Sequence, residues 1–343
     1  MRPFQDLSRR GRLYQLRKLA NTVLEYYKLQ TARLSFIQYS ENIIYRVDLP
    51  GRKTPASKTD PYLSNRYLLR IHAVDDVDNI ASELTWLAAL SQEAGMPVPA
   101  PVRTLDGKLL TRVTTPGIPK GRVVSVMRWL DGRRYRVGLR PKHLSAMGQI
   151  VAQMHTFSAS WQPPSGFKRP HWNWDSQLGG SMFRHPMEQV VASIPSNFQQ
   201  PFQVISDEAK QVMESFGDGP GAYGLIHADL YPENVLFKDG KAFPIDFEDC
   251  GFGFWMWDIA VALCEWAWGK DWEMMRDAFR QGYSRVRMLP ERQWAQLDLF
   301  VATQFATMVI WSSALLMNDP KRVAEYGPWR NKVGNQLLGY FNR

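Results

Sequence analysis

The chain has 343 residues, 45% hydrophobic and 22% charged, a balance that supports a substantial core and excludes wholesale disorder or a fibrous architecture. Its two cysteines, Cys250 and Cys264, exclude a disulfide framework and match no zinc-ligand spacing, so a reducing cytoplasm is the expected compartment. The formal net charge of +9 suits an anionic ligand without choosing among nucleotide phosphates, nucleic acid and anionic surfaces.

The opening residues are basic, but no apolar h-region or small-residue cleavage site follows them, so no secretory leader is expected. Arg9, Arg10, Arg12, Arg17 and Lys18 lie among Leu13, Leu16, Leu19, Val23 and Leu24. That is the pattern of an amphipathic helix with a solvated basic face, favoured over a nucleic-acid arm. Strands are expected over 33–39 and 43–49, separated by the polar turn Ser40, Glu41 and Asn42, and over 67–72 after a polar, proline-containing connection.

Ile80, Leu84, Leu87 and Leu90 then recur at helical spacing, with Asp76 or Asp78 as cap and Gly95 as stop. Further strands are expected over 97–103, 109–113 and 122–127. Beyond Asp131 and Gly132 the pattern turns helical, beginning with Leu144, Met147, Val151 and Met154 in a helix opened by Pro141. The 158–181 stretch, rich in Trp, Pro and Gly, reads as a long ordered loop. The apolar 297–317 stretch carries Asp298, Thr303, Gln304, Thr307, Ser312 and Ser313 and so reads as a buried helix, not a membrane span.

The chemistry-bearing segment is 224–246, GLIHADLYPENVLFKDGKAFPID. It reads as a strand ending at His227, a polar loop, a strand, a tight turn and a strand ending at Asp246. The chain thus delivers Asp229, Asn234 and Asp246 to neighbouring loop ends. Phosphoryl transfer needs such a set: a carboxylate to accept the proton of an attacking hydroxyl and hard oxygen ligands for magnesium. Singly, each of these residues reads as a cap or a turn former. Their joint order and spacing favour the chemical reading.

HADLYPEN, from His227 to Asn234, resembles the catalytic loop of the protein-kinase-like superfamily, and Asp246-Phe-Glu stands at the place of Asp-Phe-Gly. More narrowly the chain resembles the aminoglycoside phosphotransferase, type II homoserine kinase and choline kinase group, which includes bacterial stress-response kinases. The resemblance implies an α+β fold of two lobes: a small antiparallel-sheet N-terminal lobe over 1–127, a hinge over 128–132 and a larger helical lobe over 133–343. It implies ATP and magnesium as cofactors, with Asp229 as base and Asn234 and Asp246 as metal ligands. Arg70 stands at the place of the phosphate-binding lysine and Glu83 at that of its partner. Ser40 and Asn42 occupy the hairpin over the phosphates, and Met127 and Trp129 fall beside adenine, where Trp129 reads equally as packing. Asp258 resembles an aspartate that supports the catalytic loop, and His155 reads as a structural histidine.

Two departures stand out: arginine replaces lysine at position 70, and the hairpin has no Gly-rich loop. The expected activity is transfer of the ATP gamma-phosphate to a hydroxyl of a small molecule, an amino alcohol, amino acid or sugar-like compound. A protein Ser/Thr kinase of the stress-response type and a nucleotide-binding pseudokinase are the alternatives. Glu248, Asp249 and Glu265 are acidic candidates for the pocket an aminoglycoside would need, although the basic overall balance speaks against that acceptor. Neither a nucleic acid nor a membrane is expected as a partner.

Overall fold

The first helix, α1 (Arg9–Val23), starts on Ser8, whose hydroxyl accepts the N–H of Gly11, and buries Leu16, Leu19, Ala20 and Val23. These positions follow i, i+3, i+4, i+7 spacing and make one apolar stripe, leaving Arg9, Arg10, Arg17 and Lys18 exposed. The computed structural model describes residues 3–39, 42–51, 54, 55, 57 and 60–343. Ser40 lies outside the described residues.

The chain divides into two units. The first comprises Met1–Arg133 with two later segments, Pro163–Lys168 and Phe243–Glu248. In it, β1 (Arg33–Tyr39), β2 (Ile43–Asp48) and β3 (Tyr62–Ile71) precede α2 (Val77–Gln92), and β4 (Pro101–Val102), β5 (Thr111–Thr115) and β6 (Ile118–Leu130) follow it. The sheet runs β1-β2-β3-β6-β4, with β5 also on β6, and every pairing is antiparallel. Alternation along β2 turns Ile43, Tyr45 and Val47 into a core shared with Leu16, Leu19 and Val23 of α1. Each such aliphatic side chain contributes about 1.5–3 kcal/mol on burial.

Where elements differ from expectation, backbone chemistry explains it. The 97–103 strand shrinks to Pro101–Val102 because Pro97, Pro99 and Pro101 donate no ladder hydrogen bonds. β3 starts earlier than its apolar alternation, crossing an irregularity between Tyr62 and Tyr67 where Asn65 has φ +56°. α2 is capped by Asp76, whose carboxylate accepts the N–H of Asn79 at 3.2 Å. The later segments dock on this helix: Lys168 donates its backbone N–H to Ser82 Oγ at 2.8 Å, and Phe247 meets Trp86 edge-on at 5.6 Å. Hydrophobic periodicity carries no sign of this return of the chain.

The second unit comprises Arg134–Gln162, Arg169–Ala242 and Asp249–Arg343. After the short β7 (Arg133–Arg134), which begins on the last residue of the first unit, come α3 (Pro141–Ser158), β8 (His171–Trp172), α4 (Trp174–Gln177), α5 (Met187–Ala192) and α6 (Ser196–Phe216). β9 (Tyr223–Ile226), β10 (Val235–Lys238), β11 (Lys241–Pro244) and β12 (Gly251–Phe254) follow. Then come α7 (Trp255–Leu263), α8 (Trp272–Ser284), α9 (Glu291–Trp294), α10 (Leu297–Asn318) and α11 (Val323–Gly339). The 158–181 stretch thus holds β8, which runs parallel to β12, and α4, capped by Asn173. Neither element is long enough to register as periodicity.

Among the described residues, one helical stretch is long and apolar enough to cross a membrane, Glu291–Asn318, and 78% of its apolar 18-residue window is buried inside the protein. It is the core helix of the second unit, against which α5, α6, α7 and α11 pack. α3 and α8 approach closely: a Cβ at Gly148 would lie 2.2 Å from the Phe279 carbonyl oxygen, and one at Gly282 would lie 1.9 Å from that of Ser145.

Candidate active site

In the second unit the site begins where β9 ends. Ala228 has φ +67°, a left-handed conformation that costs a residue with a Cβ about 1–3 kcal/mol unless its surroundings hold it. Asp258, on α7, does so. Its carboxylate accepts the backbone N–H of His227 at 2.9 Å and that of Ala228 at 2.7 Å. The same carboxylate accepts from His155 Nε2 at 3.1 Å, and His155 Nδ1 lies 2.9 Å from the Tyr283 hydroxyl.

Asp258 and His155 are fully buried. Burial pushes the His155 pKa down, against the opposing pull of Asp258, so the ring is neutral. A carboxylate only accepts, which assigns the proton to Nε2 and makes Nδ1 the acceptor of the Tyr283 O–H. Burial also pushes the Tyr283 phenol far up, keeping that donor protonated.

The clamped amides deliver Asp229 next. A short helical turn, Pro232–Asn234, brings Asn234 back so that its Nδ2 donates to Asp229 Oδ2 at 2.7 Å and to the Asp229 backbone oxygen at 2.9 Å. The turn is tied by Tyr231 N–H to Asp229 O at 2.9 Å and by Asn234 N–H to Tyr231 O at 2.8 Å. With its nitrogen committed to Asp229, Asn234 keeps its carbonyl oxygen for a further partner.

In the first unit Arg70 lies on β3 opposite Ile44 and Ser125. Its guanidinium pairs with Glu83 of α2, and both residues are buried, with 4% and 2% of their surface exposed. Considered alone this pair would be a surface ion pair in most proteins; here it is internal. Burial opposes the arginine's charge, but Glu83 first, then Glu248 and Asp246, outweigh it and push the pKa up. Among the described residues Arg70 Nε is buried without a hydrogen-bond partner, an open donor on a fixed cation.

Asn42, at the base of the first hairpin, donates from Nδ2 to Glu248 Oε2 at 2.6 Å and accepts the N–H of Ala73 at 3.0 Å. Burial pushes the Glu248 carboxyl up, against the pull of Arg70. Asp246 falls two residues beyond the end of β11, with φ +67°, so the expected strand stops short of it. Met127 is buried on β6 opposite Leu68 and Pro101, and the Arg66 guanidinium sits 5.5 Å over the Trp129 ring.

The structure therefore brings Asp229 together with Asn234, Arg70 with Glu83, and Asn42 with Glu248. Tyr283 and the Asn42–Glu248 bond have no counterpart in the sequence reading. Glu248 was legible as an acidic residue at the place of a glycine and as a candidate for an acidic acceptor pocket, not as a partner of Asn42, and Tyr283 sits unmarked within an amphipathic helix.

The model of the phosphotransferase enzyme family matches residues 57–300. The chain belongs to this family. Homoserine kinase of Methylobacillus flagellatus is 26% identical to this phosphotransferase over 279 residues, 78% of this chain and 79% of that protein. A solved microcompartment-associated aminopropanol kinase is 25% identical, with a TM-score of 0.72 and 94% of each chain covered. The amicoumacin kinase hAmiN, solved with AMP-PNP and Ca2+, has a TM-score of 0.71 at 20% identity over 94% of each chain, a likeness of fold. The phosphotransferase has the α+β, protein-kinase-like fold, with a smaller sheet-rich unit and a larger helical one. It is a kinase that phosphorylates a hydroxyl acceptor.

Proposed function

We propose that this phosphotransferase moves the gamma-phosphate of ATP to the hydroxyl of a small amino alcohol or hydroxy amino acid. The observation that carries the proposal is the Asp229 carboxylate, fixed by Asn234 at 2.7 Å at the end of a loop whose amides are clamped by Asp258. A carboxylate so held orients an attacking hydroxyl and accepts its proton as the bond to phosphorus forms. The acceptor class follows the named relatives, a homoserine kinase and an aminopropanol kinase, both of which act on compounds that bear an amine and a hydroxyl.

In this reading the Arg70 guanidinium, with Nε unpartnered and Glu83 behind it, binds ATP phosphate oxygens. In the same reading Ser40 and Asn42, with Met127 and Trp129 of β6, bind the rest of the nucleotide. Magnesium would be held by Asn234 Oδ1 and Asp246 and would offset the charge on the phosphates. The donor set fits: magnesium needs only one or two protein oxygens when phosphates and waters complete its shell. Among the described residues no group of three or more His, Cys, Asp or Glu forms an all-protein cage.

The test is ATP turnover by wild type and Asp229→Asn over a panel of amino alcohols, hydroxy amino acids, sugars and a generic protein, with and without magnesium. Acceptor- and magnesium-dependent turnover by wild type is expected. The variant should lose about 10²–10⁴-fold in kcat while still binding ATP. Full turnover by Asp229→Asn would remove Asp229 as the base, and turnover confined to the protein acceptor would remove the small-molecule reading.

A further inference from the structure

α10 carries four hydroxyl side chains, and three are satisfied within the helix. Thr303, Ser312 and Ser313 each donate at 2.8 Å to the carbonyl four residues earlier, those of Leu299, Met308 and Val309. Thr307 Oγ1 is also buried but has no partner among the described residues. One turn earlier, Gln304 uses Nε2 to donate to the Tyr231 hydroxyl at 2.9 Å, while its Oε1 is buried without a partner. Gln304 is only 8% exposed.

Residues three apart on a helix share a face, so the unsatisfied oxygens of Gln304 and Thr307 lie on the face that meets Tyr231. Tyr231 is the second residue after Asp229 and is tied to it through the backbone. The Cys264 thiol lies within hydrogen-bonding reach of the same phenol, and Glu265 follows it on the chain. Burial pushes the Cys264 thiol up to about 12 and the Tyr231 phenol well up also, so both are neutral. Asp229 acts electrostatically on both the phenol and the thiol, and Glu265 on the thiol. Desolvation and Glu233 push the Glu265 carboxyl up, and Lys332 only partly offsets them.

Two buried acceptor oxygens without donors, beside carboxylates, match a protonated amine, which carries three N–H donors and a positive charge. We infer that Gln304 and Thr307 form an ammonium subsite for the phosphate acceptor, with Glu265 supplying the complementary charge. The amine of the acceptor lies on α10 and its hydroxyl at Asp229, with Tyr231 linking the two ends of the site. This subsite rests on the small-molecule kinase reading above and specifies what that reading leaves open.

Steady-state kinetics with ATP and magnesium on acceptor pairs that differ in the amine test the subsite: aminopropanol against propanediol, and homoserine against gamma-hydroxybutyrate. Wild type is compared with Gln304→Met and Thr307→Val, each checked for cooperative thermal unfolding. Either substitution should raise KM for the amine-bearing acceptor about tenfold, the effect of one lost charged hydrogen bond, with kcat within about twofold. The poorer turnover of the amine-free partner should not change. A wild type that prefers the amine-free acceptor, or variants that leave KM unchanged or shift both members of a pair equally, would overturn the subsite while leaving the kinase intact. Thr307→Val is nearly isosteric and carries the test alone if Gln304→Met does not fold. Failure of the functional reading looks different: wild type then turns over neither member of either pair, and the subsite is rejected with it.

Discussion

The carboxylate of Asp258 accepts the backbone N–H of Ala228 at 2.7 Å, one residue before Asp229. Its other oxygen takes His227 N–H at 2.9 Å and His155 Nε2 at 3.1 Å. Three donors thus converge on one buried anion, which holds the left-handed turn at Ala228 in place. In Asp258→Asn the amide nitrogen confronts one of those donors, so the loop must shift. Displacements of about 1 Å can lower turnover about 10²-fold, and that loss in kcat is expected with little change in KM for ATP. Replacing a buried charged acceptor should also lower stability by about 3 kcal/mol, measured by urea unfolding. Wild-type kcat in this variant would mean that the amides are held by something other than Asp258.

The same loop is exposed to the packing of α3 on α8. His155 rides on α3 and Tyr283 on α8, and their 2.9 Å contact requires the close approach that Gly148 and Gly282 permit. A methyl at Gly148 would meet the Phe279 carbonyl oxygen at 2.2 Å and the Tyr283 nitrogen at 2.8 Å, backbone atoms that cannot rotate away. Gly148→Ala and Gly282→Ala should therefore each destabilise by about 1–3 kcal/mol through overpacking. Both should also depress kcat, because parting the helices lengthens the His155–Tyr283 hydrogen bond. Thermal unfolding and steady-state kinetics on each variant give the two readouts.

The sequence carried the local parts of this site and, through the resemblance, the Arg70–Glu83 and Asp258 partnerships, but missed the other tertiary ones. Asp229 and Asn234 are five residues apart, and their pairing follows from one short turn, so motif spacing reports it. Asp76 as the cap of α2 and Pro141 at the start of α3 were legible because caps are written in adjacent residues. The bonds from Asn42 to Glu248 and from His155 to Tyr283 span 206 and 128 positions. Each joins elements whose own patterns are complete without the other. The same holds for Lys168 on Ser82: a loop without periodicity gives no sign of what it docks against. Glycines 148 and 282 were unreadable for a related reason, since a helix interior shows that a glycine is costly but not which backbone it admits.

Arg70 and Glu83 form a buried pair, so their removal should be asymmetric. Glu83→Gln leaves a desolvated guanidinium with Glu248 and Asp246 as the remaining carboxylates in its field among the described residues and should cost about 3–5 kcal/mol. The double variant Arg70→Met with Glu83→Leu removes both charges and should be more stable than Glu83→Gln alone, although it binds ATP poorly. Arg70→Lys keeps the charge but not the planar fork or its Nε donor, so its main effect should be a higher KM for ATP with stability nearly retained. Denaturant unfolding of the set, with ATP titrations, checks the ordering. A double variant no more stable than Glu83→Gln would show that the cost lies in packing and not in the stranded charge.

Acid sensitivity should come first from His72. This residue is 3% exposed, with Nε2 3.0 Å from Ser125 Oγ. Burial, then the charge of Arg70, push its pKa down to about 2, whereas an unfolded histidine titrates near about 6.5. Between those values the unfolded chain binds a proton that the native protein does not, so stability falls as pH falls below about 6.5, by about 1.4 kcal/mol per pH unit. Above that value His72 contributes no slope. His155, also pushed down by burial, acts in the same direction. The raised carboxyls of Glu248 and Glu265 act oppositely, because the native state takes up their protons first, as pH falls toward the ordinary carboxylate range. The His72 contribution between about pH 6.5 and 5.5 is therefore read as the difference between wild type and a His72 variant, in which the carboxyl contributions cancel. Urea unfolding across this interval should show a falling free energy in wild type. In His72→Gln, which keeps a polar group for Ser125, the fall over this interval should be smaller by about 1 kcal/mol, since the unfolded histidine is only partly protonated across it. An unchanged slope would mean that the native fold admits the protonated imidazole, by opening the Ser125 contact to water or by moving the Arg70 charge away from it.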